Sequence, residues 1–300
     1  MRFFTVFYTY FRILSLDVVL GAVLMCYFCA YCLDTHPDWS VYVSLGVAVW
    51  LIYTLDHLLD AYKIPHEAHT SRHRFHQKHF NILSICWLIS LIFGLWIILN
   101  YLPRRVLIFG IALSSLVFLH FLLTLIDRLK NTLLIQKETR IAFIYSLGVA
   151  LASLSLKDQF LNPAECLIIF QIFLIAWVNL LIISYYEEAI DQKDAHVSTA
   201  RKLGKSSIQS LIQVLLLIQW FLAFYCGFIG GWRMIIAILI LCLMNVILAL
   251  IVYRKKYFQE NERYRALSDA IFFLPLVLLG GEFMPGLKCL SWFPSLINLT

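Results

Sequence analysis

Nine apolar runs divide this 300-residue chain, at 12–33, 40–59, 81–102, 106–126, 141–156, 164–186, 208–229, 234–252 and 267–284. A helix needs roughly 20 apolar residues to cross the hydrocarbon core of a bilayer, and these runs are spaced as successive crossings. The chain is 61% hydrophobic and 14% charged, with a mean hydropathy of +0.81. Soluble domains carry roughly 45–50% apolar and about 25% charged residues. A soluble core of this length cannot hide so much apolar surface, so lipid has to be the solvent for most of it. The expectation is an all-α integral membrane protein, with residues 1–300 forming a single domain of about nine transmembrane helices. A short apolar stretch at 287–299 contains Pro294 and reads as an interfacial tail. The first run is too long for the apolar part of a signal peptide and lacks a small-residue cleavage site, so it is expected to remain in the mature protein. Cys26, Cys29 and Cys32 resemble a metal motif in spacing. Inside a transmembrane helix, however, that spacing places small apolar side chains along one flank, and packing is the expectation.

Lys and Arg set the orientation. With the N-terminus inside, the cytoplasmic side holds Arg2, Arg12, Lys63, Arg72, Arg74, Lys78, Arg128, Lys130, Lys137 and Arg140. It also holds Lys193, Arg201, Lys202, Lys205, Arg254, Lys255, Lys256, Arg263 and Arg265. Only Arg104, Arg105, Lys157, Arg233 and Lys288 fall outside, which is 5 of the 24. One missed helix would scramble that alternation. The net charge of +6 thus follows from the positive-inside bias, and no nucleic-acid partner is expected. The N-terminus and the longer, polar loops are expected in the cytoplasm and the C-terminus on the opposite side. Function is expected on the cytoplasmic side, where the polar residues are.

Ionisable residues at helix ends inside a membrane are functional candidates. Two groups qualify. Asp56 and Asp60 close the second run; Glu187 and Asp191, extended by Asp194, close the sixth. If each helix continues through its group, residues four apart share a face, about 6 Å apart along the axis. Asn179 lies above Glu187 on the same face. Paired carboxylates at this spacing repel. A hard divalent cation relieves that repulsion, and Mg²⁺ is typically bound by one or two carboxylates plus substrate phosphates. One such pair alone often only marks where a helix enters water. Two at matching helix ends point to one metal–diphosphate site, with Lys and Arg of nearby loops on the remaining phosphate oxygens.

At these residues the chain resembles the UbiA superfamily of intramembrane prenyltransferases, which have nine helices around a central cavity and two aspartate-rich motifs at the ends of helices 2 and 6. Glu187-x-x-x-Asp191 is similar to the second motif, and Ser198-Thr199-Ala200-Arg201-Lys202-Leu203-Gly204 follows at the family's spacing. In the first motif Asp60 fits the second Asp and Asp56 stands where the family has Asn. His57 and Ile64 occupy the first and last Asp positions. The resemblance implies a Mg²⁺ cofactor held by Asp56, Asp60, Glu187, Asp191 and Asp194. It implies diphosphate binding by Lys130, Arg72 and Lys137, with Asp17, Tyr53 and Asn179 lining the cavity. The implied activity is ionisation of an isoprenoid diphosphate and transfer of its prenyl group to a lipophilic acceptor.

Other readings compete. A terpene cyclase shares the ionisation step. A transporter or a non-catalytic lipid-binding protein fits the same helical layout, although no Gly/Pro-broken helices recur in matched positions. His66, His69, His73, His76 and His79 crowd one loop, with His57 just before. A di-iron oxygenase needs a second cluster far along the chain, and only the scattered His36, His120 and His196 remain. The loop reads instead as a zinc-binding or basic, solvated segment. The orientation is testable: in a cysteine-free background, Asp34→Cys and Ser71→Cys are expected to react with an impermeant thiol reagent from opposite faces of the membrane. Labelling of both from one side would refute the topology.

Overall fold

With no water in a bilayer to satisfy backbone N–H and C=O groups, a spanning segment has to bond internally. The computed structural model describes residues 2–63, 71–130, 137–193, 199–230 and 232–283, and all regular structure among them is helical. In chain order the helices are α1 (Arg2–Ile13), α2 (Leu16–Leu33), α3 (Trp39–Lys63), α4 (Ser71–Lys78), α5 (Phe80–Tyr101), α6 (Arg104–Lys130) and α7 (Lys137–Leu156). They continue as α8 (Pro163–Lys193), α9 (Thr199–Leu203), α10 (Lys205–Ile229), α11 (Trp232–Tyr253), α12 (Lys255–Gln259), α13 (Arg263–Ala270) and α14 (Leu276–Phe283). Eight of these, α2, α3, α5, α6, α7, α8, α10 and α11, contain spans long and apolar enough to cross a membrane.

The chain departs from the expected runs at both ends. The first run, 12–33, is interrupted: Ser15 adopts a left-handed conformation (φ 57°), so the span begins at Leu16 and α1 is a separate helix before it. The ninth run, 267–284, is not one helix. α13 gives way to a 3₁₀ turn at Ile271–Phe273, and α14 starts after Pro275, which cannot donate a backbone hydrogen bond. The expected nine spans are therefore eight among the described residues, with this broken segment beside them. The tail at 287–299 lies outside the described residues. The 3₁₀ turn packs so closely on α2 that a Cβ on Gly21 would meet Phe272 Cβ at 3.0 Å.

α2 and α8 form the centre of the bundle. α8 packs against α7, α10 and α11, and α2 against α3 and α7. Phe28, Met25, Ile168, Ile172, Ile175, Leu181, Ile208 and Leu241 are buried between them. Cys29 and Cys32 are buried among these residues and Cys26 against Val41, Val106 and Ala152, none of them in a disulfide, which bears out the packing expectation. α5 and α6 instead expose Ile82, Leu99, Ile108 and Phe118, the apolar outer surface expected of helices facing lipid.

Both acidic groups lie on continuous helix. α3 runs on to Lys63 and α8 to Lys193, so the i, i+4 relation of Asp56 with Asp60 and of Glu187 with Asp191 holds along each backbone.

At the other end of the bundle, Asn162 and Glu165 close a reciprocal cap on α8. Asn162 Oδ1 accepts from the Glu165 N–H at 2.9 Å, and Glu165 Oε2 accepts from the Asn162 N–H at 3.0 Å, the pattern of a capping box. Lys157 Nζ donates to Glu165 Oε1 at 3.0 Å and to the Leu33 carbonyl at 3.2 Å. That lysine therefore ties the end of α2 to the α7–α8 turn, with its own side chain 14% and that of Glu165 6% exposed. Asn162→Ala is expected to cost about 1 kcal/mol. Lys157→Met is expected to cost more, about 3–5 kcal/mol, because it leaves Glu165 as an uncompensated buried charge. Thermal unfolding of the two purified variants checks the order.

Candidate active site

One cavity of about 360 Å³ runs inside the bundle between α2, α3, α4, α6, α7, α8 and α13. Along α3 it reaches from Leu45 to Asp60, about 22 Å by helical rise. Its lining changes character along that length. Leu45, Ala48, Val49, Leu113, Val117 and Gly148 are apolar. At the other end stand Asp56, Asp60, Arg72, Lys137, Glu138, Arg140, Glu187, Arg265 and Asp269. This charged end gathers the start of α7 and the ends of α3 and α8, and the helices alternate in direction, so the charges collect on one side of the bundle.

Most of the sequence-derived candidates meet here. Asp56, Asp60, Arg72, Lys137, Tyr53, Asn179 and Glu187 all line the cavity. Asp60 is 5% exposed. Asp56 faces Lys137 across the gap between α3 and α7, with 4.0 Å between Oδ2 and Nζ. Asp17 is buried next to the cavity-lining Val18 but does not itself line the cavity; its Oδ1 accepts from the Val18 N–H at 2.9 Å. Lys130 ends α6 and Asp191 sits on the last turns of α8, and both side chains lie outside the described residues, as does Asp194. Glu188, rotated off the Glu187 face, pairs instead with Lys205 at 2.8 Å.

Glu187 is already engaged. Arg265 Nη1 lies 2.9 Å from its Oε1, and the Tyr264 hydroxyl donates to the same oxygen at 3.0 Å. Four residues on from Arg265, Asp269 accepts a hydrogen bond from Asn179. On the opposite wall, Arg72 Nη1 donates to His57 Nε2 at 3.4 Å and its Nη2 to the Arg12 carbonyl at 3.1 Å. Burial, with the Arg265 charge added, pushes the Arg72 guanidinium down to about 10, so it keeps its proton at neutral pH. Burial alone would also lower Arg265, but Glu187 and Asp269 outweigh it and hold Arg265 above its ordinary value. Burial, reinforced by Glu187, raises the Tyr264 hydroxyl, which keeps it a donor. Behind the acids, Glu138 accepts from the Thr199 N–H at 3.1 Å and from the Thr199 hydroxyl. This pairing pins α9, the helix of the Thr199–Gly204 run, to the start of α7.

Arg265, Asp269, Glu138 and Arg140 were missed as site residues. Arg265 and Arg140 counted only towards orientation. The i, i+4 pair of Arg265 and Asp269 at the start of the ninth run was the available signal.

Three of the histidines, His57, His73 and His76, lie together with their rings tilted against one another. The His57 ring lies 5.6 Å from His73 and 5.1 Å from His76. His76 Nδ1 donates to the Arg72 carbonyl at 2.8 Å. Among the described residues no three His, Cys, Asp or Glu side chains are placed to enclose a metal ion, and His66 and His69 lie outside them. The α3 acids do suit a Mg²⁺ bound by one or two carboxylates and completed by phosphate oxygens: Asp56 and Asp60 are hard oxygen donors facing one cavity.

Over 90% of this chain and 99% of the other, the backbone matches a UbiA homolog from Archaeoglobus fulgidus solved with GPP and Mg²⁺, at a TM-score of 0.62 and 11% identity. The chain has the UbiA fold. The same homolog bound to DMAPP and Mg²⁺ matches at a TM-score of 0.59 and 10% identity, with the same coverage. A digeranylgeranylglyceryl phosphate synthase matches at 0.53 and 14% identity, over 94% of this chain and 99% of that one. No family model matches the chain, and no curated protein does. The resemblance to the UbiA superfamily read from the two acidic groups is thus borne out in the fold, at 10–14% sequence identity.

Burial holds His76 below its ordinary value, although its bond to the Arg72 carbonyl opposes the shift. A histidine kept neutral in the folded state contributes stability that is present above the unfolded value of about 6.5 and lost as pH falls through the folded one. The melting temperature is therefore expected to fall between pH 7.5 and 5.5, and His76→Gln is expected to flatten part of that fall.

Proposed function

We propose that the protein is a Mg²⁺-dependent intramembrane prenyltransferase that ionises an isoprenoid diphosphate and transfers the prenyl group to a lipophilic acceptor. The observation that carries this reading is the division of one cavity into a charged end and an apolar end. An isoprenoid diphosphate has the same division, with a polyanionic head and an apolar chain. The UbiA fold, and the GPP, DMAPP and Mg²⁺ of the Archaeoglobus homolog, support it.

In this reading Asp56 and Asp60 hold Mg²⁺ on α3, Glu187 of α8 lines the same cavity, and Asp191 and Asp194 are assigned to the site from the sequence motif. Bound there, Mg²⁺ neutralises charge on the diphosphate as the leaving group departs. Arg72, Lys137 and Lys130 bind phosphate oxygens; Arg72, held by His57 and the Arg12 carbonyl, and Lys137, opposite Asp56, are in place before the reaction and stabilise the developing charge without reorganising. The C–O bond of the donor breaks with its electron pair on the diphosphate. The allylic cation left behind lies against the cavity's aromatic and apolar lining, where Tyr53 and Tyr145 offer ring faces. A nucleophilic atom of the acceptor forms the new bond and sheds its proton. The charged end is assigned to the cytoplasmic side, from the distribution of Lys and Arg.

Asp60→Asn and, separately, Asp191→Asn are expected to lower turnover about a hundredfold or more, since an amide oxygen holds Mg²⁺ less well than a carboxylate. Glu188→Gln, whose partner is Lys205, is expected to change turnover little. The assay is consumption of a prenyl diphosphate by purified variants with and without Mg²⁺. Wild-type activity in both Asn variants, or activity independent of a divalent metal, would overturn the reading. Tight binding of the donor without turnover would point to a lipid-binding relative.

A further inference from the structure

The α8 side of the cavity carries a fixed cation that the motif pattern does not assign. Arg265 Nη1 and the Tyr264 hydroxyl converge on one oxygen, Glu187 Oε1, at 2.9 and 3.0 Å. The pair is largely shielded, with the Arg265 side chain 19% and the Glu187 side chain 13% exposed. A guanidinium presents five N–H donors in a rigid fork, so a bond to one carboxylate oxygen leaves the fork able to meet a second anion. Arg265 also lines the cavity. So does Arg72, on the opposite wall, anchored from behind by His57 and the Arg12 carbonyl. Each guanidinium is thus oriented by protein groups and presented to the same space. Glu187 and Asp269 offset part of this charge, and a polyanion between the two forks can accept from the donors that remain.

We propose that Arg265 is a diphosphate-binding residue, and that Glu187, with Tyr264, serves as its anchor and not as a direct metal ligand. This rests on the reading of the cavity as a diphosphate site. It gives the two ends of the site different chemistry. On the α3 side the head group is met through carboxylates and their metal, and on the α13 side by a guanidinium that needs no metal to be in place. Glu187 then acts on the diphosphate only through Arg265.

Calorimetric titration of inorganic pyrophosphate into the purified full-length protein in lipid nanodiscs, repeated over a range of Mg²⁺ concentrations, tests this. Arg265→Ala is expected to weaken pyrophosphate binding about tenfold or more, the scale of a lost charge-assisted bond. Arg265→Lys should recover part of that loss, because it keeps the charge without the fork. Glu187→Gln should leave the Mg²⁺ concentration for half-maximal binding unchanged. A direct metal ligand predicts the opposite pattern: Glu187→Gln raises the Mg²⁺ requirement severalfold, and Arg265→Ala uncovers a carboxylate and lowers it. Either of those outcomes, or wild-type pyrophosphate affinity in Arg265→Ala, overturns the assignment while leaving the diphosphate site standing. Wild-type protein that binds no pyrophosphate at any Mg²⁺ concentration overturns both. Arg265→Ala leaves Glu187 shielded and uncompensated, so Arg265→Ala/Glu187→Gln, which removes the pair together, carries the same expected loss if the single variant does not fold.

Discussion

Charge inside a low-dielectric bundle has to be compensated at close range, and the arrangement of the charged end follows from that demand. Every acid there whose contacts are described is met by a donor from a different helix. Glu187 on α8 meets Arg265 and Tyr264 on α13. Asp56 on α3 faces Lys137 on α7, and Glu138 on α7 takes two donors from Thr199 on α9. Removing one partner of a buried pair leaves an uncompensated charge, so these contacts hold the helix ends in register as well as shaping the cavity. The apolar core between α2, α7 and α8 sets which helices are neighbours, and the ionic contacts set how their ends face one another.

Much of this was legible in the sequence because two of its signals are local. Apolar runs of bilayer length mark spans whatever their surroundings, and acids four apart mark a helix face as long as the helix continues. α3 and α8 do continue, so Asp56, Asp60 and Glu187 reach one cavity as their spacing implied. What was not legible depends on the neighbour of each face. Periodicity assigns Arg265 to a face of its own helix but says nothing of Glu187, 78 positions earlier in the chain. Arg265 therefore counted as one more loop charge, and Asp269 and Glu138 drew no assignment.

The two run boundaries that moved have local causes of a different kind. Hydropathy reads straight through Ser15, since nothing apolar ends there, but a single left-handed residue is enough to separate α1 from the span. At the ninth run Pro275 was visible in the sequence, and the 3₁₀ turn before it was not. That turn lies on α2 at Gly21, where a side chain would collide with Phe272. The histidines are read only in part: His57 accepts from the Arg72 guanidinium and His76 bonds the Arg72 carbonyl, partners that spacing in the loop does not specify.

The contact between Glu187 and Arg265 also bears on biosynthesis. α8 emerges from the ribosome well before α13, and between them come two further spans, α10 and α11. Through that interval the carboxylate of Glu187 has no guanidinium opposite it, and the wall that α13 contributes to the cavity does not exist. An insertion intermediate holding all eight long helices would therefore still carry an unneutralised acid at the mouth of an open bundle. Docking of α13 closes the cavity and supplies the missing charge in one event, so quality control of this protein has a natural checkpoint there.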